Sequence, residues 1–251
     1  MKFITTSWDD GHPLDLKLAD LLAKYNLPAT FYIPKVNAER PVMPEQQLKE
    51  LAKNFEIGGH TLNHVRLATT SSTVLETEID GCYQWLSELL GAAPSSFCFP
   101  GGVYNTVALQ TVFNAGFKMA RTTELFSTKP FLSSQTTATT LQAYPHSAFT
   151  YTKHLVKRKR WTTLFNWLKS GTELSLCKLA EIYLEQVKLS GGCFHLWGHS
   201  WEIEEYNLWR LLENLFKVIS DCPDFTYVQN RGLAQEIRTP FAQMAPSIRI
   251  S

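Results

Sequence analysis

The sequence predicts an α/β protein in which parallel strands alternate with crossover helices. Short apolar runs alternate with amphipathic stretches along most of the chain. The 251 residues, 44% of them hydrophobic, suffice for one large domain, and no repeat, linker or low-complexity segment divides them. This alternation is typical of a barrel or a doubly wound sheet. Both architectures place their chemistry at the carboxyl ends of the strands.

Seven apolar runs are predicted as strands: KFITTSW (2–8), ATFYIP (29–34), FEIGGH (55–60), FCFP (97–100), FKMARTT (117–123), GGCFHLWGH (191–199) and FTYVQ (225–229). Six stretches with apolar residues at helical spacing are predicted as helices: 14–25, 44–54, 71–91, 106–116, 176–189 and 206–220. Pro44 suits a first helical turn, and Gly91 suits a helix end.

Two segments depart from this regular alternation. Residues 125–150 are rich in Ser and Thr and are expected to form a long excursion with one short strand. The run KRKR (157–160) is the one basic cluster. It is interpreted as the solvated start of a helix, with contact to an anionic substrate as the alternative.

Bulk properties exclude several classes of function. The formal net charge of +1 gives no general attraction to nucleic acid or to an acidic membrane. The five cysteines show no CxxC spacing and demand no oxidising compartment. The start MKFITTSWDDG lacks the apolar stretch of a signal peptide, and no window is long and apolar enough for a membrane span. The chain is therefore expected to be cytoplasmic, and its oligomeric state is left open.

Polar residues that can carry chemistry follow three predicted strands. Asp9 and Asp10 end the first strand, His60 and His64 follow the third, and the histidine pair of HLWGH (195–199) ends a later one. Because the carboxyl ends of parallel strands share one edge, these groups are expected to meet there. Two adjacent carboxylates repel each other, so a positive partner is expected beside them.

We interpret the positive partner of the two aspartates as a divalent metal ion. The i, i+4 spacing of His60 and His64 predicts both imidazoles on one side of a helical turn, within reach of one cation. Two histidines and one aspartate around the ion leave positions open for water and substrate. One aspartate then serves as a ligand while its neighbour stays available as a base.

The motifs TTSWDDG, GGHTLNH, FCFPGG and HLWGHSWE resemble, in this order, those of the polysaccharide deacetylases of the NodB-homology type (carbohydrate esterase family 4). The resemblance covers about residues 3–230 and leaves a C-terminal tail, 231–251, within a single catalytic domain spanning 1–251. It implies a distorted (β/α) barrel, often seven-stranded. It also implies metal-dependent hydrolysis of an N-acetyl or related acyl group from an amino sugar or glycan.

The resemblance also assigns roles to residues. Asp9 corresponds to the general base, and the metal ligands are Asp10, His60 and His64. His199 corresponds to the general acid because HSWEI resembles the HPWEI ending of some members. His195 is the second candidate for that role, although we favour it as a hydrogen-bonded core histidine. Residues expected to contact substrate are Pro100, Gly101, Gly102, Arg121 and Trp201, with a backbone N–H near Gly101 or Gly102 stabilising the oxyanion.

Two departures from the family pattern concern the substrate more than the metal. The family's third motif commonly carries an arginine that orients the base, whereas this chain has Cys98 and Phe99 before Pro100. Arg121, on the next predicted strand, is the candidate replacement. The family's fourth motif, an Asp-Trp element, is also absent.

These departures keep other functions open. One is an amidohydrolase acting on a small C–N substrate, as in the allantoinase relatives of this fold, and another is a non-catalytic carbohydrate-binding relative. For the cofactor, a His/His/Asp set suits Zn²⁺ as the first expectation and Co²⁺, Ni²⁺, Fe²⁺ or Mn²⁺ as alternatives. The expected partner is a carbohydrate or small amide, with no nucleic acid and no membrane span.

Overall fold

One curved parallel sheet, flanked by helices, forms the body of the molecule. The computed structural model describes residues 1–131, 136–157, 159, 161–169 and 171–233. The strands are β1 (Lys2–Asp9), β2 (Ala29–Ile33), β3 (Glu56–Gly59), β4 (Ser96–Cys98), β5 (Met119–Arg121), β6 (Thr136–Thr137), β7 (Leu141–Gln142), β8 (Gly192–Gly198) and β9 (Thr226–Tyr227). The helices are α1 (Asp15–Lys24), α2 (Glu45–Leu51), α3 (Ser72–Leu90), α4 (Thr106–Ala115), α5 (Ala148–Lys157), α6 (Trp161–Lys169), α7 (Leu176–Ser190), α8 (Ser200–Glu205) and α9 (Trp209–Ser220).

The strand order is β6-β5-β4-β3-β2-β1-β8-β7, with β9 paired to β1, and every pairing is parallel. The segment 136–142 carries both end strands, since β6 pairs with β5 and β7 pairs with β8. This one segment therefore joins the two edges of the sheet and closes it into a distorted barrel. The predicted fold class is confirmed.

The strand count differs from the expected seven because the described residues form nine strands. β6 and β7 are two-residue halves of the closing segment, so the ring itself has seven strand positions, and β9 lies beside β1. The single short strand expected within 125–150 is therefore wrong. That segment holds two short strands and the start of α5. Its backbone pairs with two different neighbours, which the local pattern of Ser and Thr does not reveal.

β1 lies between β2 and β8 in the barrel wall and delivers the first polar residues. Every residue of β1 from Phe3 to Asp9 is buried because helices cover one face and the barrel interior lies on the other. Ile4 and Trp8 pack into the main apolar core, whereas Ser7 bonds to His195 in β8. The barrel interior is thus partly polar, and its carboxyl-terminal end is where Asp9 lies.

The basic run and the tail are only partly described. Lys157 is the last residue of α5, and α6 begins at Trp161, directly after the KRKR run. Arg158 and Arg160 lie outside the described residues, so the expected helix start stays a prediction. Of the predicted tail, residues 234–251 also lie outside them. Within the described part of the chain, no helix has the length and apolar character needed to span a membrane.

Candidate active site

Asp9 is held by a buried arginine from a distant strand. The Arg121 guanidinium, at the end of β5, donates from Nη2 to Asp9 Oδ1. Both side chains are buried, and Arg121 lies between the rings of Tyr32 and Trp197, 5.1 and 4.9 Å from their centroids. Burial alone would lower the pKa of Arg121, but the charge of Asp9 outweighs burial and raises the pKa, so the guanidinium stays charged.

Asp10 points to a different set of partners because the chain turns sharply after β1. Its backbone has φ 79°, in the left-handed region that Asp tolerates better than most residues. Asp10 Oδ1 lies 3.0 Å from His64 Nε2 and 3.5 Å from His60 Nε2, and Trp201 Nε1 donates to Oδ2 at 2.8 Å. Burial alone would raise the pKa of Asp10, but hydrogen bonds to the two histidines outweigh it and lower the pKa.

The two histidines meet without the expected helical turn. Residues 60–64 form a loop in which Thr61 and His64 have φ of 65° and 56°. The Thr61 hydroxyl accepts a hydrogen bond from Val65 N–H at 3.0 Å and thereby stabilises the loop. The predicted turn is wrong because two left-handed residues are incompatible with a right-handed helix. The predicted proximity is nevertheless present, with ring centroids of His60 and His64 5.1 Å apart.

Three ligand atoms from Asp10, His60 and His64 lie within 4.8 Å of one another, which is close enough for one metal ion. His60 Nδ1–H donates to Cys98 O at 2.8 Å, so its Nε2 carries the lone pair that faces Asp10. A second group, Asp9, His60 and Cys98, meets the same distance criterion. It is less suited to a cation because Asp9 already neutralises Arg121, and burial raises the pKa of the Cys98 thiol.

His199 lies directly after β8 and is connected to three further polar side chains. Its Nδ1 lies 3.3 Å from Oε2 of Glu202, one turn into α8. Gln142 Nε2 donates to the same oxygen at 2.9 Å, and His146 Nε2–H donates to Gln142 Oε1 at 2.9 Å. Burial alone would lower the pKa of His199, but the hydrogen bond to Glu202 and the nearby aspartates raise it. Sequence reasoning missed Glu202, Gln142 and His146, although Glu202 stands within the quoted HSWEI motif.

His195 is a core residue, as we favoured from the sequence. It is fully buried, its Nδ1–H donates to Ala138 O at 3.2 Å, and its Nε2 accepts from Ser7 Oγ at 2.8 Å. Burial, assisted by the charge of Arg121, lowers the pKa of His195 to about 3. The ring is therefore neutral and fully bonded at the pH values at which most enzymes operate.

We expect His195→Ala to lower the free energy of unfolding by about 1–3 kcal/mol at pH 7, because Ser7 and Ala138 would lose their partner. The folded-state pKa lies below the unfolded value of 6.5, so the unfolded chain takes up the proton first as pH falls. The stabilisation is therefore complete above pH 6.5 and declines toward pH 3. Urea unfolding of both proteins at pH 7 and in mild acid measures this. A difference that grows in acid would contradict the prediction.

The residues expected to contact substrate take three different positions. Gly101 lines the cavity beside Asp9 and Asp10, whereas Pro100 is buried. Gly102 has φ 66°, and a Cβ there would lie 1.9 Å from Thr123 Oγ1, so only glycine fits. Gly102 N–H already donates to Phe99 O at 2.8 Å, which leaves Gly101 as the candidate oxyanion donor of the pair.

Arg121 and Trp201 differ in whether they line the cavity. Arg121 is fully buried beneath Asp9, so its expected contact with substrate is wrong. Its guanidinium instead donates a hydrogen bond to the Asp9 carboxylate. Trp201 does line the cavity, where its indole N–H is bonded to Asp10 and its ring lies 4.0 Å from the Arg40 guanidinium carbon.

A cavity of about 310 Å³ brings these groups together at the carboxyl ends of the strands. Its walls include Asp9, Asp10, His60, His64, Arg66, Gly101, Gln142, His146, His154, Trp197, His199 and Trp201. A neighbouring cavity of about 680 Å³ shares Gly101, Thr123 and His154 with it. Arg66 and His154 were not identified from the sequence, because nothing in their local context marks them.

Comparisons with known proteins show which proteins this chain is similar to. Residues 1–120 match the family model described as Polysaccharide deacetylase. A peptidoglycan-N-acetylglucosamine deacetylase of Bacillus cereus is 34% identical over 124 residues, which are 47% of this chain and 54% of that protein. A second Bacillus cereus protein of the same name is 30% identical over 101 residues, or 39% of this chain and 36% of that protein. The chain thus spans about half the length, or less, of these relatives.

Solved structures extend the likeness in fold to the rest of the chain. A Mycobacterium smegmatis protein classed with the polysaccharide deacetylases has a TM-score of 0.68 at 13% identity, over 99% of this chain and 93% of that one. A family 4 acetyl xylan esterase from Clostridium thermocellum, solved with a cobalt ion, has a TM-score of 0.56 at 15% identity, over 94% and 91% of the two chains. At these identities the likeness concerns the fold alone.

The sequence match covers the first half of the chain, and the likeness in fold covers nearly all of it. The match includes the motifs with Asp9, Asp10, His60 and His64, while the late motif with His199 lies beyond it. Over residues 1–120, the chain is similar to the polysaccharide deacetylase family.

Proposed function

We propose that this protein is a metal-dependent hydrolase that removes an N-acetyl group from an amino sugar within a glycan. The observation that most supports this proposal is that three groups with different chemistry line one cavity. These groups are the arginine-bound carboxylate of Asp9, the Asp10–His60–His64 set and the imidazole of His199. A base, a metal site and an acid are what hydrolysis of an unreactive amide requires.

Asp10, His60 and His64 would hold the metal ion. Their donor atoms suit a divalent transition metal, and the His60 Nδ1–H bond to Cys98 O fixes the tautomer that leaves Nε2 for the ion. When bound, such an ion polarises the amide carbonyl and lowers the pKa of water. The donor set does not select among Zn²⁺, Co²⁺, Ni²⁺, Fe²⁺ and Mn²⁺, and we retain Zn²⁺ as the first expectation.

Asp9 is the proposed general base. Arg121 occupies its Oδ1, so its Oδ2 is the oxygen that receives the proton of the attacking water. The Cys98 thiol, whose Sγ lies 3.7 Å from Oδ2, is a weak donor and leaves that oxygen basic. Arg121 acts as a positioning residue because it fixes the plane of the carboxylate. The arginine missing from the third motif is thus replaced from β5.

His199 is the proposed general acid. Glu202 accepts a hydrogen bond from its Nδ1–H, so the ring presents Nε2–H as the proton donor to the leaving nitrogen. Without this proton the amine departs poorly. The backbone N–H of Gly101 is the candidate donor to the developing oxyanion. Glu202 acts as a positioning residue because it fixes the orientation of the His199 ring.

The proposed substrate is a glycan that contains N-acetylglucosamine, because the Bacillus cereus relatives carry that sugar in their names. The test is acetate release from N-acetylglucosamine oligomers and from peptidoglycan fragments, measured on the chain loaded in turn with each candidate metal. We expect release that a chelator stops. Hydrolysis of small cyclic amides without acetate release would support the amidohydrolase alternative. Binding of oligomers without any hydrolysis would support the non-catalytic alternative. The cytoplasmic location inferred from the sequence stays a prediction.

We expect Glu202→Gln to shift the alkaline limb of the pH–rate profile to lower pH and to lower kcat about tenfold. Glu202 raises the pKa of His199, so its loss would deprotonate the acid at a lower pH. Glu204→Gln on the same helix is the matched control, because Glu204 is half-exposed and bonds to Lys17. An alkaline limb that stays in place in Glu202→Gln would exclude this role for the carboxylate.

A further inference from the structure

Basic and acidic residues are distributed unevenly along this chain. Residues 125–172 contain seven of the 24 Lys and Arg and none of the 23 Asp and Glu. The seven are Lys129, Lys153, Lys157, Arg158, Lys159, Arg160 and Lys169. The whole-chain charge of +1 conceals this local excess. The weak field expected from the net charge concerns the whole chain, whereas this segment is locally basic.

The two helices in this segment also expose large apolar side chains. On α6, Trp161, Phe165 and Leu168 are 59%, 58% and 52% exposed, and their i, i+4, i+7 spacing puts them on one face. On α5, Phe149 and Val156 are 76% and 41% exposed. Exposed apolar side chains on consecutive helices, beside basic residues, are unusual for a surface that faces only water.

α6 also has a buried side. Trp167, on the other side of α6, is buried, and its ring packs against Phe126 and Tyr151 at centroid distances of 6.4 and 5.8 Å. The helix is therefore anchored through Trp167 and presents Trp161, Phe165 and Leu168 outward. The exposed face of α6 is therefore suited to an apolar environment.

We propose that α5 and α6 form a docking surface for an anionic phospholipid membrane. Lys153 and Lys159 would bind lipid phosphates, while Trp161 and Phe165 would enter the boundary between headgroups and acyl chains. The helices lie on the membrane and do not span it.

Other occupants fit this surface less well. A second copy of the chain would bring two basic surfaces together, and these repel each other. A soluble acidic glycan or a nucleic acid would pair with the lysines but leave Leu168 and Val156 in water. A membrane of anionic lipid satisfies both the charge and the apolar side chains.

The position of α5 connects this surface to the active site. The same helix contributes Thr150 and His154 to the cavity that contains Asp9 and Asp10. Docking would therefore place the cavity within about one helix diameter, 10–12 Å, of the membrane surface. A glycan attached to lipid could reach it there.

The experiment is sedimentation of the full chain with vesicles of phosphatidylcholine alone and of phosphatidylcholine mixed with phosphatidylglycerol. We expect binding to the anionic vesicles that weakens as salt increases. Lys153→Gln with Lys159→Gln should weaken binding about fivefold for each lysine. Trp161→Ser with Phe165→Ser should weaken it more than tenfold. The matched controls are Lys49→Gln with Lys217→Gln for charge, and Leu189→Ser for an exposed apolar residue on α7.

Three results would overturn the proposal. Equal binding to both kinds of vesicle, or anionic binding that neither double variant weakens, would overturn it. So would a concentration-dependent dimer that Phe165→Ser dissociates while vesicles are not bound, since the face would then belong to a second copy. Vesicle binding needs no catalysis, so this result is independent of the proposed hydrolase activity. Melting temperatures within a few degrees of the parent chain exclude unfolding as the cause.

Discussion

His60→Ala should reduce bound divalent metal to a small fraction of the parent value and abolish hydrolysis. His60 is the central ligand of the set because its Nε2 faces Asp10 while its Nδ1 is fixed by Cys98 O. Removing it leaves Asp10 and His64, and two ligands hold a catalytic ion poorly. Elemental analysis of the protein after dialysis measures the metal without reference to activity.

His195→Ala is the matched histidine control. It should lower stability but keep the metal, because the described hydrogen bonds of the His195 side chain go only to Ser7 and Ala138. Retention of a full equivalent of metal in His60→Ala, with unchanged turnover, would remove this residue from the metal site.

A second pair of variants separates the two candidate ligand groups that share His60. If the ion binds Asp10, His60 and His64, then His64→Ala should lose metal and Cys98→Ala should keep it. The buried Arg121 beside Asp9 disfavours a dication in the other group. The reverse pattern, with metal lost from Cys98→Ala alone, would move the ion to Asp9, His60 and Cys98.

The strand-end rule explains why much of this site could be predicted from the sequence. Asp9, Asp10, His60 and His199 each follow a strand that its apolar pattern identifies, and parallel strands bring such residues to one edge. The rule needs only the class of the fold. It does not need the geometry of each loop, so the wrong helical turn at His60 and His64 did not affect their proximity.

Long-range partners were predicted less completely: Arg121 was named as the candidate replacement arginine, whereas Gln142 and Glu202 were missed. Arg121 meets Asp9 across 112 positions of sequence, and Gln142 meets Glu202 across 60. Each contact depends on how the barrel closes, and closure depends on a segment with two strands of two residues each. A strand of that length has no periodicity to detect. The polar residues that this segment positions could therefore be identified only from the closed barrel.

Asp9→Asn should lower turnover about 10²–10⁴-fold while the metal stays bound, since this is the usual range for loss of a general base. The amide can still accept a hydrogen bond from Arg121, so the side chain should keep its place. It cannot take a proton from water. The buried guanidinium of Arg121 loses its compensating charge, and we therefore also expect a lower melting temperature.

Two measurements keep the chemical effect of Asp9→Asn apart from the structural one. Metal content and turnover are determined well below the melting temperature of the variant, where the folded fraction is complete. Arg121→Lys provides the comparison, because it retains the buried charge and the carboxylate but loses the fixed planar geometry of the guanidinium. We expect Arg121→Lys to keep more turnover than Asp9→Asn, since the base is misplaced but present. If Asp9→Asn loses its metal together with its activity, Asp9 is a ligand, and the proton acceptor must be sought elsewhere in the cavity.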